Sequence, residues 1–305
     1  LAVSLAMTVA LGAVALRWAG VAPSTAAVAG LGAFLIFSRP GFVNLYSGQV
    51  TLVAVFATYL ALWYATTRPG VSAFALALST FKGTYGLPTA ALLGARGDRR
   101  VVALGVLIAS LLTAPAVARI AVAAGGVAPM VQSVRDSLAT RLTIPRKSPE
   151  HSPFRIDTVA LAARTLGRAP TTAETLAIMG GILFAAAAAM RRLRPDADRA
   201  RRLHATSIGS LAGVAAFYHQ SYDGLALVLP LVVLLARPDL EPWRGRPAWR
   251  WAALALTAVP FVNFLATRSA GARFGESMVL AASSVNGLAI LAVLVVHVGL
   301  AWRMR

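Results

Sequence analysis

The residues able to do chemistry fall in three short polar stretches set between apolar runs. The first is Ser79-Thr80-Phe81-Lys82-Gly83-Thr84-Tyr85-Gly86-Leu87-Pro88, flanked by Val71 to Leu78 and Thr89 to Leu93. A cation at that depth in a hydrophobic chain costs about 2.5–3.5 kcal/mol on insertion scales, so an intramembrane lysine points to a functional site. Gly83, Gly86 and Pro88 break the helix around it. Irregular backbone at membrane depth survives only where protein or a watery cavity covers it. The stretch therefore reads as a hairpin of two short helices with Lys82 at its tip, facing an anionic substrate group. A plainer reading has Lys82 snorkelling to the headgroups from a helix end. The second stretch, Arg39 to Gln49, sets a cation before Asn44, Tyr46 and Gln49; the third, Tyr218-His219-Gln220-Ser221-Tyr222-Asp223, places an acid one turn from a histidine.

The elements that must position these groups are membrane helices. With 58% hydrophobic and 13% charged residues and a mean hydropathy of +0.70, the 305-residue chain falls in the polytopic class, as an all-α bundle. The net charge of +18 would suit nucleic acid, but the arginines sit in short clusters between apolar runs. That pattern reports topology, so no nucleic-acid partner is expected; the partner is the lipid bilayer. The absence of cysteine excludes disulfide and thiolate chemistry and suits a bacterial plasma membrane. Heavy alanine and arginine usage points the same way. The chain opens at Leu1 without a methionine or a basic leader, which reads as an N-terminally incomplete copy; Leu1 to Leu16 lacks the features of a signal peptide.

Apolar runs predict spans at 1–16, 25–38, 49–66, 70–81, 84–94, 101–120, 174–190, 204–219, 223–236, 250–266 and 278–301, in one transmembrane domain over 1–305. Arg17, Arg68, the Arg96 to Arg100 turn, the Arg191 to Arg202 cluster, Arg237 to Arg250 and the Arg303 to Arg305 tail share one side only if the Lys82 segment crosses twice. That side is then cytoplasmic, with Asp98, Asp196, Asp198, Asp239 and Glu241 as solvated headgroup contacts. The three polar stretches and a loop over 121–173 meet the opposite face. Within that loop Val131, Val134, Leu138 and Leu142 form a helical stripe, and Asp157 N-caps a second amphipathic helix carrying Ile156, Val159, Ala160, Ala163 and Leu166. Both helices read either as interfacial or as packed on the bundle. Pro145, Arg146, Lys147, Pro149 and Pro153 read as a basic loop between them, and Thr171 with Glu174 as a capping box.

Three motifs carry a family resemblance: Asn44-Leu45-Tyr46-Ser47-Gly48-Gln49 opening a span, Phe81-Lys82 followed by Tyr85 and Pro88, and His219-Gln220-Ser221-Tyr222-Asp223 leading into a span with Pro230 and Leu235. In order and spacing they resemble the GT-C membrane glycosyltransferases, in particular glycosyltransferase family 87, whose members are similar to polyprenyl-phosphate-mannose-dependent mannosyltransferases. Two features depart from the family pattern. Gly83 and Gly86 intervene before the proline, and the first outer loop, where members carry a catalytic aspartate, would precede Leu1.

The resemblance implies transfer of a hexose, mannose in the family pattern, from a polyprenyl-phosphate donor to a glycolipid or glycan acceptor on the extracytoplasmic face. Such a site must hold the phosphate, neutralise its growing charge and accept a hydroxyl proton. Lys82 suits the first two tasks, with Arg39 assisting or acting instead as a headgroup anchor. Asn44, Tyr46, Gln49, Tyr85, Gln220, Tyr222 and Asp157 are sugar-contact candidates, although amides at span ends also glue helices together. Asp223 is the candidate base and His219 a phosphate or sugar contact; a helix-end hydrogen bond between the two is the competing reading. His151 and His204 read as solvated and His297 as a packed core histidine. No residues have metal-ligand spacing and no cofactor is implied, with a divalent cation left open. A transporter or flippase of a lipid-linked or anionic substrate, and a truncated inactive homologue, are the alternatives.

Overall fold

Apolar sequence in lipid must satisfy every backbone group internally, and helices do so within one segment. The structure, a computed structural model, describes residues 1–142, 144, 148–193, 198–241 and 243–304, without the side chains of 138, 141, 142 and 268. The expectations at Pro145, Arg146, Lys147, Asp196 and Arg305, and for the Leu138 and Leu142 side chains, fall outside the described residues. The described residues form an all-α polytopic bundle. Its first half comprises α1 (Ala2–Ala19), α2 (Thr25–Phe37), α3 (Arg39–Ser47), α4 (Thr51–Tyr64), α5 (Pro69–Ser79), α6 (Gly83–Arg96) and α7 (Arg99–Ala123). There follow α8 (Val127–Leu142), α9 (Thr158–Leu166), α10 (Thr172–Leu193), α11 (Arg199–Ala216) and α12 (Val228–Ala236). The last three are α13 (Pro247–Val262), α14 (Arg268–Phe274) and α15 (Glu276–Arg303).

α1, α7, α10, α15 and the stretch Pro247–Ala266 are each long and apolar enough to cross a membrane. α11 and α12 form the centre: Leu203 to Leu211 and Leu225 to Leu234 are buried without interruption. α11 is rich in Ala, Ser and Gly, which lets neighbours approach closely. At Gly209 an added Cβ would meet Leu62 at 2.9 Å. His204, expected in solvent, is instead buried here, its Nε2 3.0 Å from the His297 carbonyl and the two rings 5.0 Å apart. The helix starts earlier than the apolar run because Asp198 caps it, accepting from the Arg201 N–H at 2.8 Å. That cap brings the arginines and His204 into the helical register. His297 is a packed core residue, as expected.

The stretch from Arg39 to Ser47 is helical, where the sequence suggested a loop. α2 and α3 meet at a 70° bend built by Ser38 and Gly41. The Ser38 hydroxyl donates to the Leu35 carbonyl at 2.7 Å and accepts from the Gly41 N–H at 3.2 Å. Pro40 sits in the first turn of α3, where its missing N–H costs nothing. A Cβ on Gly41 would lie 1.7 Å from the Leu35 oxygen, so only glycine permits the bend.

A second break separates α5 from α6 and carries Lys82 in extended backbone at the N-cap of α6. The two glycines beside it differ. An added Cβ on Gly83 meets nothing within 4 Å, whereas one on Gly86 would lie 2.6 Å from the Thr80 Cα and 2.9 Å from its nitrogen. Gly86→Ala is therefore expected to destabilise the chain by about 1–3 kcal/mol, an overpacking cost against rigid backbone. Gly83→Ala is expected to be neutral or slightly stabilising, because it removes unfolded-state freedom at an open site. Thermal unfolding of the two variants in detergent tests this, and equal melting temperatures would contradict it.

The two amphipathic helices of the 121–173 loop part ways. α8 is exposed at nearly every described side chain, Val131 and Val134 included. In α9, Val159, Ala160 and Ala163 are buried beside Ile156, with Asp157 accepting from the Ala160 N–H at 3.0 Å. Glu174 and Thr171 form the reciprocal cap that opens α10, at 2.7 and 3.2 Å.

Candidate functional site

Lys82 reaches the bundle's centre from the α5–α6 break and pairs with Asp223, which lies in the 3-10 turn Ser221–Leu227 that leads into α12. The lysine Nζ also donates to Thr51 Oγ1 at 2.9 Å, and lies 4.6 Å above the Tyr222 ring and 5.2 Å from that of Tyr85. Asp223 is 1% exposed and surrounded by donors. Its Oδ1 accepts from Lys82, from the Tyr85 hydroxyl at 3.1 Å and from Thr51 at 3.3 Å. Its Oδ2 accepts from the Gln220 N–H at 2.9 Å and lies 3.1 Å from His219 Nδ1.

Pro88 explains how His219 is held. It lies inside α6 rather than ending it, and a proline there leaves the carbonyl four residues earlier without its helical donor. That carbonyl is Thr84's, and His219 Nε2 sits 3.2 Å from it. A carbonyl can only accept, so Nε2 carries the hydrogen. The imidazole, fully buried and edge-on to Tyr85 at 4.7 Å, thus ties α6 to the Asp223 turn.

The loop before α9 braces the same turn. Ile156 N–H donates to the His219 carbonyl and Ser221 N–H to that of Phe154, both at 3.0 Å, forming an isolated antiparallel bridge between Arg155 and Gln220. Arg155 grips the Asp157 carboxylate with two bonds, 2.9 and 2.7 Å, and its guanidinium stacks 4.8 Å from the Tyr218 ring. Arg164 of α9 donates to the carbonyls of Ser152 and Arg155 at 2.6 and 3.1 Å, and to Ser284 Oγ on α15 at 3.0 Å. Burial draws its guanidinium down to about 10, still charged at neutral pH.

Beside this cluster lies a cavity of about 680 Å³. Arg39, Tyr46, Gln49, Gln220, Tyr222 and Thr267 are among the residues that line it. Phe37, Phe42, Tyr46 and Phe264 form an exposed aromatic rim. Arg39 is 1% exposed, and one of its terminal nitrogens donates to the Ala266 carbonyl. Its Nε and its other terminal nitrogen have no partner, and no carboxylate pairs with it among the described residues. A buried charge in that condition costs several kcal/mol unless something supplies a counter-ion.

Lys82, Asp223, His219, Tyr85 and Tyr222 come together, and Arg39, Tyr46, Gln49 and Gln220 gather at the adjoining cavity. Their geometry shows which partners each already holds. Asp223 has both oxygens engaged by donors and almost no solvent contact, so it is a counter-ion for Lys82 and a poor proton acceptor. Buried His219 and Tyr85 point at Thr84 and Asp223 and spend their polar atoms there. Asp157, 1% exposed, commits its oxygens to Arg155 and the α9 cap and positions the loop instead of a sugar. Asn44 is buried within the bundle, its amide without a partner among the described residues and absent from the cavity wall. Arg39, 1% exposed, is enclosed by protein. Lys82, 19% exposed at its side chain, braces the cavity through Tyr222. Sequence reasoning missed Thr51, Arg155 and Arg164. Only Arg155, two residues before the capping Asp157, left a signal to read.

A model of glycosyltransferase family 87 matches residues 1–218 of the chain. No curated protein and no solved structure matches it.

Proposed function

The chain belongs to glycosyltransferase family 87 and is a membrane glycosyltransferase, and from that premise we propose that it transfers a hexose, mannose by family likeness, from a polyprenyl-phosphate donor to a glycolipid or glycan acceptor on the extracytoplasmic face of a bacterial plasma membrane. The observation that carries this reading is Arg39, a buried cation without a counter-ion at the wall of a cavity rimmed by aromatic side chains. A phosphate supplies the missing charge, and the guanidinium fork matches its oxygens. Phe37, Phe42 and Phe264 offer an apolar surface to the prenyl tail.

In the transfer, an acceptor hydroxyl oxygen forms a bond to the anomeric carbon while the bond from that carbon to the phosphate oxygen breaks. The electron pair leaves with the phosphate, and the hydroxyl proton goes to a base or to water. Charge grows on the departing oxygens, and a preorganised cation in a dry site is worth most there. Arg39 takes that role. Gln49, Gln220 and Tyr222 offer hydrogen bonds to the sugar from the cavity wall. Lys82 holds the Asp223 turn, and with it Gln220 and Tyr222, against α3.

Decaprenyl phosphate, a donor without its sugar, tests the reading. Added at about a hundred times its Kd, it is expected to stabilise the detergent-solubilised chain by about 2.7 kcal/mol, seen as a rise in melting temperature. Decaprenol, which has the tail and no phosphate, is expected to give little. Equal shifts from the two would sink the phosphate assignment.

A further inference from the structure

Three helix ends meet on the side of the bundle away from Asp223. α10 closes just beyond Arg191 and Arg192, α11 opens at Arg199 and carries Arg201, and α15 closes just beyond Trp302. From there α11 runs 18 residues to Ala216, about 27 Å at helical rise, before the chain reaches His219. A cavity of about 610 Å³ opens between the three ends, with Arg191, Arg192, Arg201, Trp302 and Met304 in its wall. The Arg192 guanidinium lies 5.3 Å from the Trp302 ring, and Asp198 Oδ2 lies 3.3 Å from Arg201 Nε. Arg191 and Arg192 pair with no carboxylate among the described residues, so two positive charges stand at the wall without a described counter-ion. Apolar surface leading away from the cavity sets it apart from a solvated arginine turn. Leu288, Val295 and Trp302 recur every seven residues on one face of α15 and are 53%, 63% and 52% exposed. On α10, Phe184, 76% exposed, shares a face with Ala188 and Arg191.

We propose that this cavity binds the phosphate headgroup of an anionic phospholipid, whose acyl chains lie along the exposed rows of α10 and α15. A guanidinium fork matches phosphate oxygens, and a tryptophan at a span end sits at headgroup level. Basic pockets between membrane helices on the cytoplasmic side take such headgroups, and the arginine asymmetry of the chain puts this end on that side. Cardiolipin, with two phosphates, answers the two adjacent arginines best. A free phosphate would engage the guanidiniums and leave both apolar rows unused, which commits the site to a lipid. The site lies at the other end of α11 from the Arg39 cavity and does not depend on the donor reading.

The test titrates the delipidated full chain in detergent with tetraoleoyl cardiolipin, dioleoyl phosphatidylglycerol and dioleoyl phosphatidylcholine, counting bound lipids by native mass spectrometry. Cardiolipin is expected to bind at least tenfold more tightly than phosphatidylcholine, with phosphatidylglycerol between them. The double variant Arg191→Gln, Arg192→Gln removes two exposed cations and is expected to weaken cardiolipin at least tenfold, about 1.4 kcal/mol. Arg99→Gln, Arg100→Gln takes the same charge from another exposed turn at that end of the bundle and is expected to change it less than twofold. Trp302→Leu is expected to cost about threefold. Equal losses in the two double variants would reduce the site to diffuse surface charge and overturn the proposal, as would equal affinity for cardiolipin and phosphatidylcholine. Displacement of cardiolipin by millimolar inorganic phosphate would make it a site for free anions instead. Stabilisation by decaprenyl phosphate is expected to be the same in the Arg191→Gln, Arg192→Gln variant as in the wild type. Its loss there would show that the donor's own phosphate occupies this cavity, and the separate lipid site would fall.

Discussion

Lys82→Met is expected to destabilise the chain by about 3 kcal/mol, near the lower end of what breaking a buried ion pair costs. The mutation leaves Asp223, 1% exposed, as a carboxylate deprived of its cation. Thr51, Tyr85 and the Gln220 amide remain as donors, which keeps the loss from being larger. Asp223→Asn is expected to cost less, about 1–2 kcal/mol, because the stranded lysine is partly exposed and lies against the Tyr222 and Tyr85 rings. The double variant Lys82→Met, Asp223→Asn is expected to be more stable than Lys82→Met alone, since no buried charge is left unpaired. Denaturant unfolding of the three variants in micelles measures the cycle. Additive losses, or Asp223→Asn more damaging than Lys82→Met, would mean that the pair does not hold the turn. A lysine serving only as a phosphate ligand predicts instead a loss of transfer with unfolding unchanged.

That pairing marks where the sequence stops being informative. The apolar runs were legible as helices because lipid demands internally bonded backbone, although only five of the described helical stretches are long enough to cross on their own; Asp157 and the Thr171–Glu174 pair announced their helix starts by residue type alone. α3 was hidden because Arg39, Pro40, Gly41 and Asn44 are helix-poor residues in a polar run. Its helix is fixed by Ser38 and by packing against the Asp223 turn, which no local pattern encodes. At the site, Lys82, His219 and Asp223 were identifiable as polar groups in apolar surroundings, but their roles depend on contacts across 141 residues in the case of Lys82 and Asp223. An acid one turn from a histidine resembles a base until Lys82, Thr51 and Tyr85 are placed on its other oxygen. Thr51 gave no signal, since a threonine opening an apolar helix is ordinary. Pro88 gave a misleading one: it reads as a helix stop, and in the fold it frees the Thr84 carbonyl for His219.

Arg39→Met is expected to separate stability from function most sharply. Transfer from a polyprenyl-phosphate sugar is expected to fall by about 10²–10³-fold, the usual effect of removing one preorganised group that stabilises developing charge. Stability without substrate is expected to hold or rise. The native guanidinium is buried with two nitrogens unpartnered and no carboxylate beside it among the described residues, and an unpaired buried cation destabilises the folded chain. Methionine keeps most of the volume and removes the charge; the lost bond to the Ala266 carbonyl returns about 1 kcal/mol of that gain. Decaprenyl phosphate is then expected to stop stabilising the variant, because the anion no longer meets a counter-charge. Melting temperature with and without the lipid, together with transfer in reconstituted membranes, reads all three effects. A variant that unfolds readily would show that Arg39 is a structural cation already satisfied in the resting protein. One that transfers at the native rate would remove the donor phosphate from this cavity. A substrate-binding cation kept in readiness is a source of instability that only the bound donor relieves, and this pairing of a more stable fold with a silent site is what no purely structural arginine reproduces.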